Sequence, residues 1–268
     1  MSFETAGPLA KYYYAAAEDV AYRQEAVSLD MLEFKIANLA DIKPRFTEAL
    51  ANSPGVSVIA EHKRMSPSEG EIRPGSSVKD TVEQYQKGGA TALSILVQKQ
   101  HFGGDIQDIA EAREASSLPI LRKDFISENY QLYEAKANGA DAALLIVGGL
   151  AKATLIKLHK EATNIGLDCL VEAHDEKELE MALEIGATLV GINNRDLANP
   201  KNVDLDVTKE LACLVPEEKV LVAESGYSVK NKLHLRELED ISRVDAVLMG
   251  TALMREDDPA LALSNWLK

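Results

Sequence analysis

Eight short apolar runs recur along the chain at intervals of roughly 20 to 35 residues, the size of a strand–helix unit. Helical patterns fill the intervals, and no linker breaks the series. Together these observations predict an α/β fold, a (β/α)8 TIM barrel. The runs are VSVIA (56–60), TALSILV (91–97), LPILR (118–122), DAALLIV (141–147), LDCLVE (167–172), ATLVGI (187–192), KVLVAE (219–224) and VDAVLM (244–249). Each is near-continuous rather than alternating, as in parallel strands buried on both faces. An open doubly wound sheet is the alternative. It usually has fewer units and a glycine-rich loop after its first strand. Here that place is taken by Lys63, Arg64 and a Ser-Pro-Ser turn.

The residues before the first run differ. Leu29, Leu32, Ile36 and Leu39 fall at helical spacing, with Ser28 and Asp30 as candidate caps and Pro44 ending that helix or starting the next. Tyr12, Tyr13 and Tyr14 are suited to packing on a neighbouring surface. Fifty residues are too few for a strong core of their own. The expectation is therefore one barrel domain over 1–268, with 1–50 a helical extension packed on it. Within the barrel, helical patterns cover 82–87, 106–115, 130–137, 155–162, 179–185 and 233–238. Three helices end in the same pair, Gly89-Ala90, Gly139-Ala140 and Gly186-Ala187, where glycine suits the left-handed position after a helix.

Composition narrows the function. The 268 residues carry a net charge of −14, which argues against general nucleic-acid binding. A few cations gathered in one cleft still make a local positive potential for a small anionic substrate. The two cysteines, Cys169 and Cys213, have no metal-ligand spacing and fit a reduced, cytoplasmic protein. No apolar run approaches the ~18 residues of a membrane span. The first twenty residues lack the basic and apolar regions of a secretory signal.

The active site of such a barrel lies at the C-terminal ends of its strands. The first run leads into Glu61 and Lys63, two apart and so on one face, with His62 on the other. The third gives Lys123 and Asp124, the fifth Glu172, and the sixth Asn193, Asn194 and Arg195. The seventh gives Glu224, Ser225 and Gly226, and the eighth Gly250 and Thr251. The second and fourth end in Val97 and Val147, an expected apolar wall. Taken singly, Glu61 and Lys63 are equally well a structural ion pair, and each lysine a solvated loop residue. Cations and carboxylates converging from several strand ends suit proton transfer instead. The glycines after the seventh and eighth runs leave backbone N–H groups open to a phosphate, or simply make tight turns. The five histidines lack metal spacing; His174, two residues beyond Glu172, either lines the mouth or, the favoured reading, belongs to the start of the next helix.

These blocks resemble one family. IAEHKRMSPSEG (59–70), ILRKDFI (120–126), LVEAHD (170–175), GINNRDL (191–197), AESGYS (223–228) and VLMGTALMREDDP (247–259) are similar, in order, to indole-3-glycerol phosphate synthase. The resemblance implies ring closure, decarboxylation and dehydration of 1-(2-carboxyphenylamino)-1-deoxyribulose 5-phosphate, with no metal or organic cofactor. It implies Lys123 as the general acid of ring closure and Glu172 as the acid/base group of proton loss and dehydration. Lys63 either pairs with the anthranilate carboxylate or acts in dehydration, with Glu61 orienting it or exchanging a proton with it. Asn193 binds the reacting hydroxyl. Arg195 and Ser66 position the substrate, and Phe125 and Leu197 flank its aromatic ring. Ser225, Gly226, Gly250 and Thr251 hold the phosphate. A monomer or weak homo-oligomer is expected, with no nucleic-acid or membrane partner.

The chain departs from the family pattern in four places. Glu69 stands where a lysine is usual, and His62 where an apolar residue is usual. Leu96-Val97 replaces Leu-Thr, and Val147-Gly148-Gly149 is smaller than expected. The readings weighed against the synthase are another phosphate-binding barrel, such as a sugar-phosphate isomerase, and a non-catalytic barrel that binds the ligand.

Overall fold

The computed structural model describes residues 7–39, 45–241 and 243–268. Eight parallel strands close into a barrel. They are β1 (Ser57–His62), β2 (Ala92–Leu96), β3 (Ile120–Lys123), β4 (Ala142–Ile146), β5 (Asp168–Ala173), β6 (Leu189–Asn193), β7 (Val220–Glu224) and β8 (Ala246–Met249). Each pairs with the next, and β8 returns to β1 with Ile59 opposite Leu248. All eight apolar runs are strands. The predicted helical patterns lie within or across longer helices such as Val78–Gly88, Lys152–Asn164 and Glu176–Glu184.

Side-chain alternation sorts each strand into two layers. Val58, Leu93, Ile95, Leu145, Val171, Val190 and Leu221 point out and pack under the helices. Ile59, Leu121, Leu144, Leu170, Leu189, Val222 and Leu248 point in and fill the barrel. Val97 and Val147 belong to the outer layer, so the wall expected of them is not theirs. Leu96 and Ile146, one residue earlier, face the mouth instead. Val97 and Val147 end their runs, but the period of two turns them outward and puts the preceding residue on the inner face.

The recurring Gly-Ala pair behaves as predicted. Gly89, Gly139 and Gly186 have φ of +95, +96 and +86°, the left-handed conformation that ends a helix and turns the chain into the next strand.

The N-terminal extension covers both ends of the barrel. In helix Ala10–Ala26, Tyr12 and Tyr13 are buried, and with Leu9 they pack on the inner layer at the mouth. Val20 packs with Leu32, Tyr130 and Ala137 on the outside. Helix Leu29–Ala37 is capped by Ser28, whose hydroxyl accepts from the Met31 N–H at 3.3 Å; Asp30 lies inside the first turn and is not the cap. Of its predicted apolar stripe only Leu32 is fully buried. Pro44 lies outside the described residues. Helix Phe46–Ala51 buries Phe46 and Leu50 against the opposite end of the barrel. There Asp168 accepts from the Thr47 N–H at 2.9 Å, and Asp141 accepts from Arg45 at 3.0 Å.

Candidate active site

A cavity of about 200 Å³ opens at the C-terminal ends of the strands. Every residue to which the resemblance assigns a role lines it: Glu61, Lys63, Ser66, Lys123, Phe125, Glu172, Asn193, Arg195, Leu197, Ser225, Gly226, Gly250 and Thr251. Alternation explains the convergence. Glu61 and Lys63 continue the inward row of Ile59, Lys123 that of Leu121, and Glu172 that of Leu170. Asn193 and Glu224 continue the rows of Leu189 and Val222 in the same way.

Lys63 Nζ lies 2.8 Å from Glu61 Oε1, and Ser94 donates to Glu61 Oε2 at 3.3 Å. Burial raises the Glu61 carboxyl, but the ammonium groups of Lys63 and Lys123 outweigh it, so its pKa falls below the ordinary value. Lys123 Nζ lies 2.8 Å from Glu172 Oε2 and 3.2 Å from Glu224 Oε2. Burial opposes the charge on Lys123, but Glu172, Glu224 and Glu61 outweigh it and raise its pKa. Asn193 donates to Glu172 Oε1 at 3.1 Å. Burial acts against ionised Glu172, yet Lys123 and His174 hold its pKa well below the usual carboxylate range. Glu224 goes the other way: burial, opposed by Lys123 and reinforced by Glu172, raises its pKa. Three carboxylates thus face two ammonium groups, and Glu224 is the one that most readily holds a proton. Gly191 and Gly250 leave room for this cluster, since a Cβ on either would strike the Glu224 or the Glu61 carboxylate.

The rim is set by the loops. Met65–Ser66 and Gly70–Glu71 form a short antiparallel ladder, and the Ser66 hydroxyl accepts from the Glu69 N–H at 3.3 Å. Arg64 ties this loop to Asp108 and to the Gly103 carbonyl, the latter at 3.1 Å. Glu69, in place of the usual lysine, pairs with Arg255 at 2.7 Å. The Arg195 backbone N–H donates to Asn193 Oδ1 at 3.0 Å, and its guanidinium reaches Ser68 and the Pro200 carbonyl. Asn194 turns away from the cavity. Its amide donates to the carbonyls of Glu224 and Ser225 at 3.0 and 3.1 Å, bracing the turn where Ser225 and Gly226 take φ of +67 and +89°. A non-glycine residue in that region is strained and needs such support. His62 faces outward as predicted. Its Nε2 lies 3.1 Å from the Ser76 hydroxyl, and burial with Arg64 nearby lowers its pKa to about 4.

Sequence reasoning missed three groups. Glu224 was placed at the mouth without a role, yet it is a direct partner of Lys123. Tyr12, from the extension, stacks on Phe125 with ring centroids 5.0 Å apart, and Phe102 lies 5.9 Å from Phe125. His174 is not the helix cap; Asp175 is, and His174 lies between Glu172 and Glu178. Alternation from Val222 would have assigned Glu224. No local signal marks Tyr12, which reaches the site only through tertiary packing.

The arrangement defines a class: a barrel enzyme whose mouth joins an apolar, aromatic end to a cluster of buried acids and bases. Comparison with known proteins gives the particular family. Residues 9–265 match the profile of indole-3-glycerol phosphate synthase, and the chain belongs to that family. It is 44% identical over 242 residues to the indole-3-glycerol phosphate synthase of a Nocardioides species, covering 90% of each chain. It is 41% identical over 247 residues to that of Streptomyces griseus, covering 92% of this chain and 90% of that one. Among solved structures, thiamine phosphate pyrophosphorylase from Pyrococcus furiosus superposes with TM-score 0.57 at 17% identity, over 80% of this chain and 93% of that one. KGPDC from Streptococcus mutans gives 0.56 at 13%, over 80% and 96%. At such identities the likeness is one of fold. Among the described residues no cluster suited to a metal ion occurs, and no helix is long and apolar enough to cross a membrane.

Proposed function

We propose that this chain catalyses the indole-3-glycerol phosphate synthase reaction, the ring closure, decarboxylation and dehydration of 1-(2-carboxyphenylamino)-1-deoxyribulose 5-phosphate. The observation that carries the reading is the Glu61–Lys63 pair facing the Lys123–Glu172–Asn193–Glu224 cluster across one cavity. Family membership decides against the sugar-phosphate isomerase alternative.

Lys123 gives its proton to the ketone oxygen as the ring carbon bearing the carboxylate attacks the ketone carbon. Carbon dioxide then leaves, and its bonding pair restores the ring. The new hydroxyl, hydrogen-bonded by Asn193, departs as water with a second proton. Glu172 takes the proton lost from the adjacent carbon. The substrate carboxylate leaves as a neutral molecule and the phosphate is untouched, so each turnover consumes one net proton. Lys63 either pairs with that carboxylate or supplies the proton to the departing water, with Glu61 orienting it. Phe125 and Leu197, joined by Tyr12, flank the aromatic ring. Ser66 and Arg195 position the chain between the two ends. Ser225, Gly226, Gly250 and Thr251 hold the phosphate at the ends of β7 and β8, where barrels of this kind commonly do so. A buried ammonium flanked by carboxylates suits general acid catalysis because its proton can be returned locally.

The extension is part of the same domain, since it supplies Leu9 and Tyr12 to the cavity. The protein works in the cytoplasm as a monomer or weak homo-oligomer, a state that sedimentation velocity measures. The decisive test is purified protein mixed with the substrate after exhaustive chelation. Indole fluorescence should appear and proton uptake should match product. Folded protein at high concentration giving no fluorescence would sink the reading.

A further inference from the structure

Glu172 has a third partner besides Lys123 and Asn193, and it comes from outside the cavity lining. His174 Nε2 lies 3.3 Å from Glu172 Oε1, an ion-pair distance without hydrogen-bond alignment. The ring is held from its far side. Glu178 Oε2 accepts from the His174 backbone N–H at 2.9 Å and lies 3.0 Å from ring Nδ1. Glu178 sits in the first turn of helix Glu176–Glu184, which Asp175 caps through the Glu178 N–H at 2.9 Å. The chain from cap to catalytic carboxylate therefore occupies seven consecutive positions, 172–178, of one strand-to-helix turn.

Two of the three contacts to Glu172 serve chemistry that must change during the cycle. Lys123 gives up its proton in ring closure, and Asn193 binds the reacting hydroxyl. Neither can hold the Glu172 carboxylate constant while it works. We propose that His174, clamped by Glu178, is a positioning residue that keeps Glu172 ionised and aimed at Lys123 from outside the cavity. This rests on the assignment of Glu172 as the acid/base group of the synthase reaction.

Other groups around the ring do not substitute for it. Segment 142–149 holds no titratable side chain, and β6 offers the neutral amide of Asn193. From the N-terminal helix the neighbour is the Tyr13 phenol, which burial and the nearby Glu172, Asp124 and Glu178 keep neutral. On helix Lys152–Asn164, Lys152 pairs with Glu184 and Glu161 with Tyr133, while Lys157 and Lys160 are exposed and His159 is half-buried. The counter-charges to His174 are thus Glu172 and Glu178. Burial lowers its pKa, but contact with these two outweighs burial and raises it to about 10. A clamped imidazolium persists through the neutral range, where a histidine with an ordinary pKa is mostly uncharged.

The test compares wild type with His174→Gln, Glu178→Gln and the double variant, reading kcat, KM and the pH profile of kcat/KM. His174→Gln removes a cation beside Glu172, so the acidic limb should move toward neutral by about one pH unit. Turnover should fall about tenfold with KM within about twofold. Glu178→Gln keeps a partner for Nδ1 but removes the counter-charge, so a decline should appear on the alkaline side. The double variant should be no worse than His174→Gln, because Glu178 acts through the ring. If His174→Gln fails to fold, the Glu178→Gln profile and ¹⁵N NMR titration of the wild-type ring carry the test. A ring already neutral at about pH 8 overturns the proposal, as does an unshifted limb or a change in KM alone. Wild type that does not turn over sinks the synthase reading. Wild type that turns over beside unshifted variants sinks this inference only.

Discussion

Replacing Lys123 by Met tests the centre of the site. The side chain is one atom shorter and uncharged, and the cavity loses a buried ammonium 2.8 Å from Glu172 and 3.2 Å from Glu224. At an effective dielectric of about 20, the attraction to ionised Glu172 is about 6 kcal/mol, while Glu224, which readily holds a proton, adds less. Desolvation of the ions offsets several kcal/mol, so breaking such a buried cluster costs about 3–5 kcal/mol net. The pH dependence follows from the sign of the shifts. In wild type, Lys123 helps hold the Glu172 pKa well below its ordinary value. Without it, His174 is the cation left to oppose burial, and the folded-state pKa of Glu172 rises from that depressed position. A depressed carboxyl contributes stability that is present above its unfolded pKa and lost as pH falls through the folded one, and a less depressed carboxyl contributes less. The stability gap between variant and wild type should therefore narrow as pH falls below about 4.3, the ordinary value for a glutamate carboxyl. Turnover should drop at least about 100-fold because the ring-closure proton is gone. Thermal unfolding at several pH values and indole fluorescence read the two effects separately. Turnover within tenfold of wild type, or a stability loss independent of pH, would refute the reasoning.

Two further expectations separate site from scaffold. His62 is buried with its pKa lowered to about 4, against an ordinary 6.5, so the unfolded state binds its proton first. The fold should lose about 3 kcal/mol as pH falls from 6.5 through 4, and urea titrations of His62→Leu should lack most of that acid-side loss. Asp141 binds Arg45 and Arg113 and accepts from the Ile120 N–H at 2.8 Å, all at the end of the barrel away from the mouth. Asp141→Asn should cost about 2–4 kcal/mol, read by denaturation, while kcat and KM stay at wild-type values.

The Ser66 to Gly70 loop illustrates how a departure from the family pattern is absorbed. Glu69 meets Arg255 on the segment after β8, so the negative charge at this place has a local partner. Both side chains are substantially exposed, and such pairs contribute little to stability. His62, the second departure, lies outside the cavity and bears on acid stability rather than on the reaction.

Much of this protein was legible in its residues. Runs of Val, Ile and Leu too continuous for a half-exposed sheet required both faces covered, which only a barrel or doubly wound sheet supplies. Glu61 and Lys63 share a face because a strand repeats every two residues, and that local rule holds in any fold. Motif blocks in order supplied the thirteen cavity positions named at the outset. What tertiary structure alone decided involves partners far apart in the chain. Tyr12 reaches Phe125 because the extension folds back over the mouth, a contact with no periodic trace. Lys123 meets Glu224, 101 positions away, only after the barrel closes. The charge state of the cluster was likewise out of reach of sequence. A pKa depends on burial and on which charges stand within a few ångströms, and both are properties of the closed barrel.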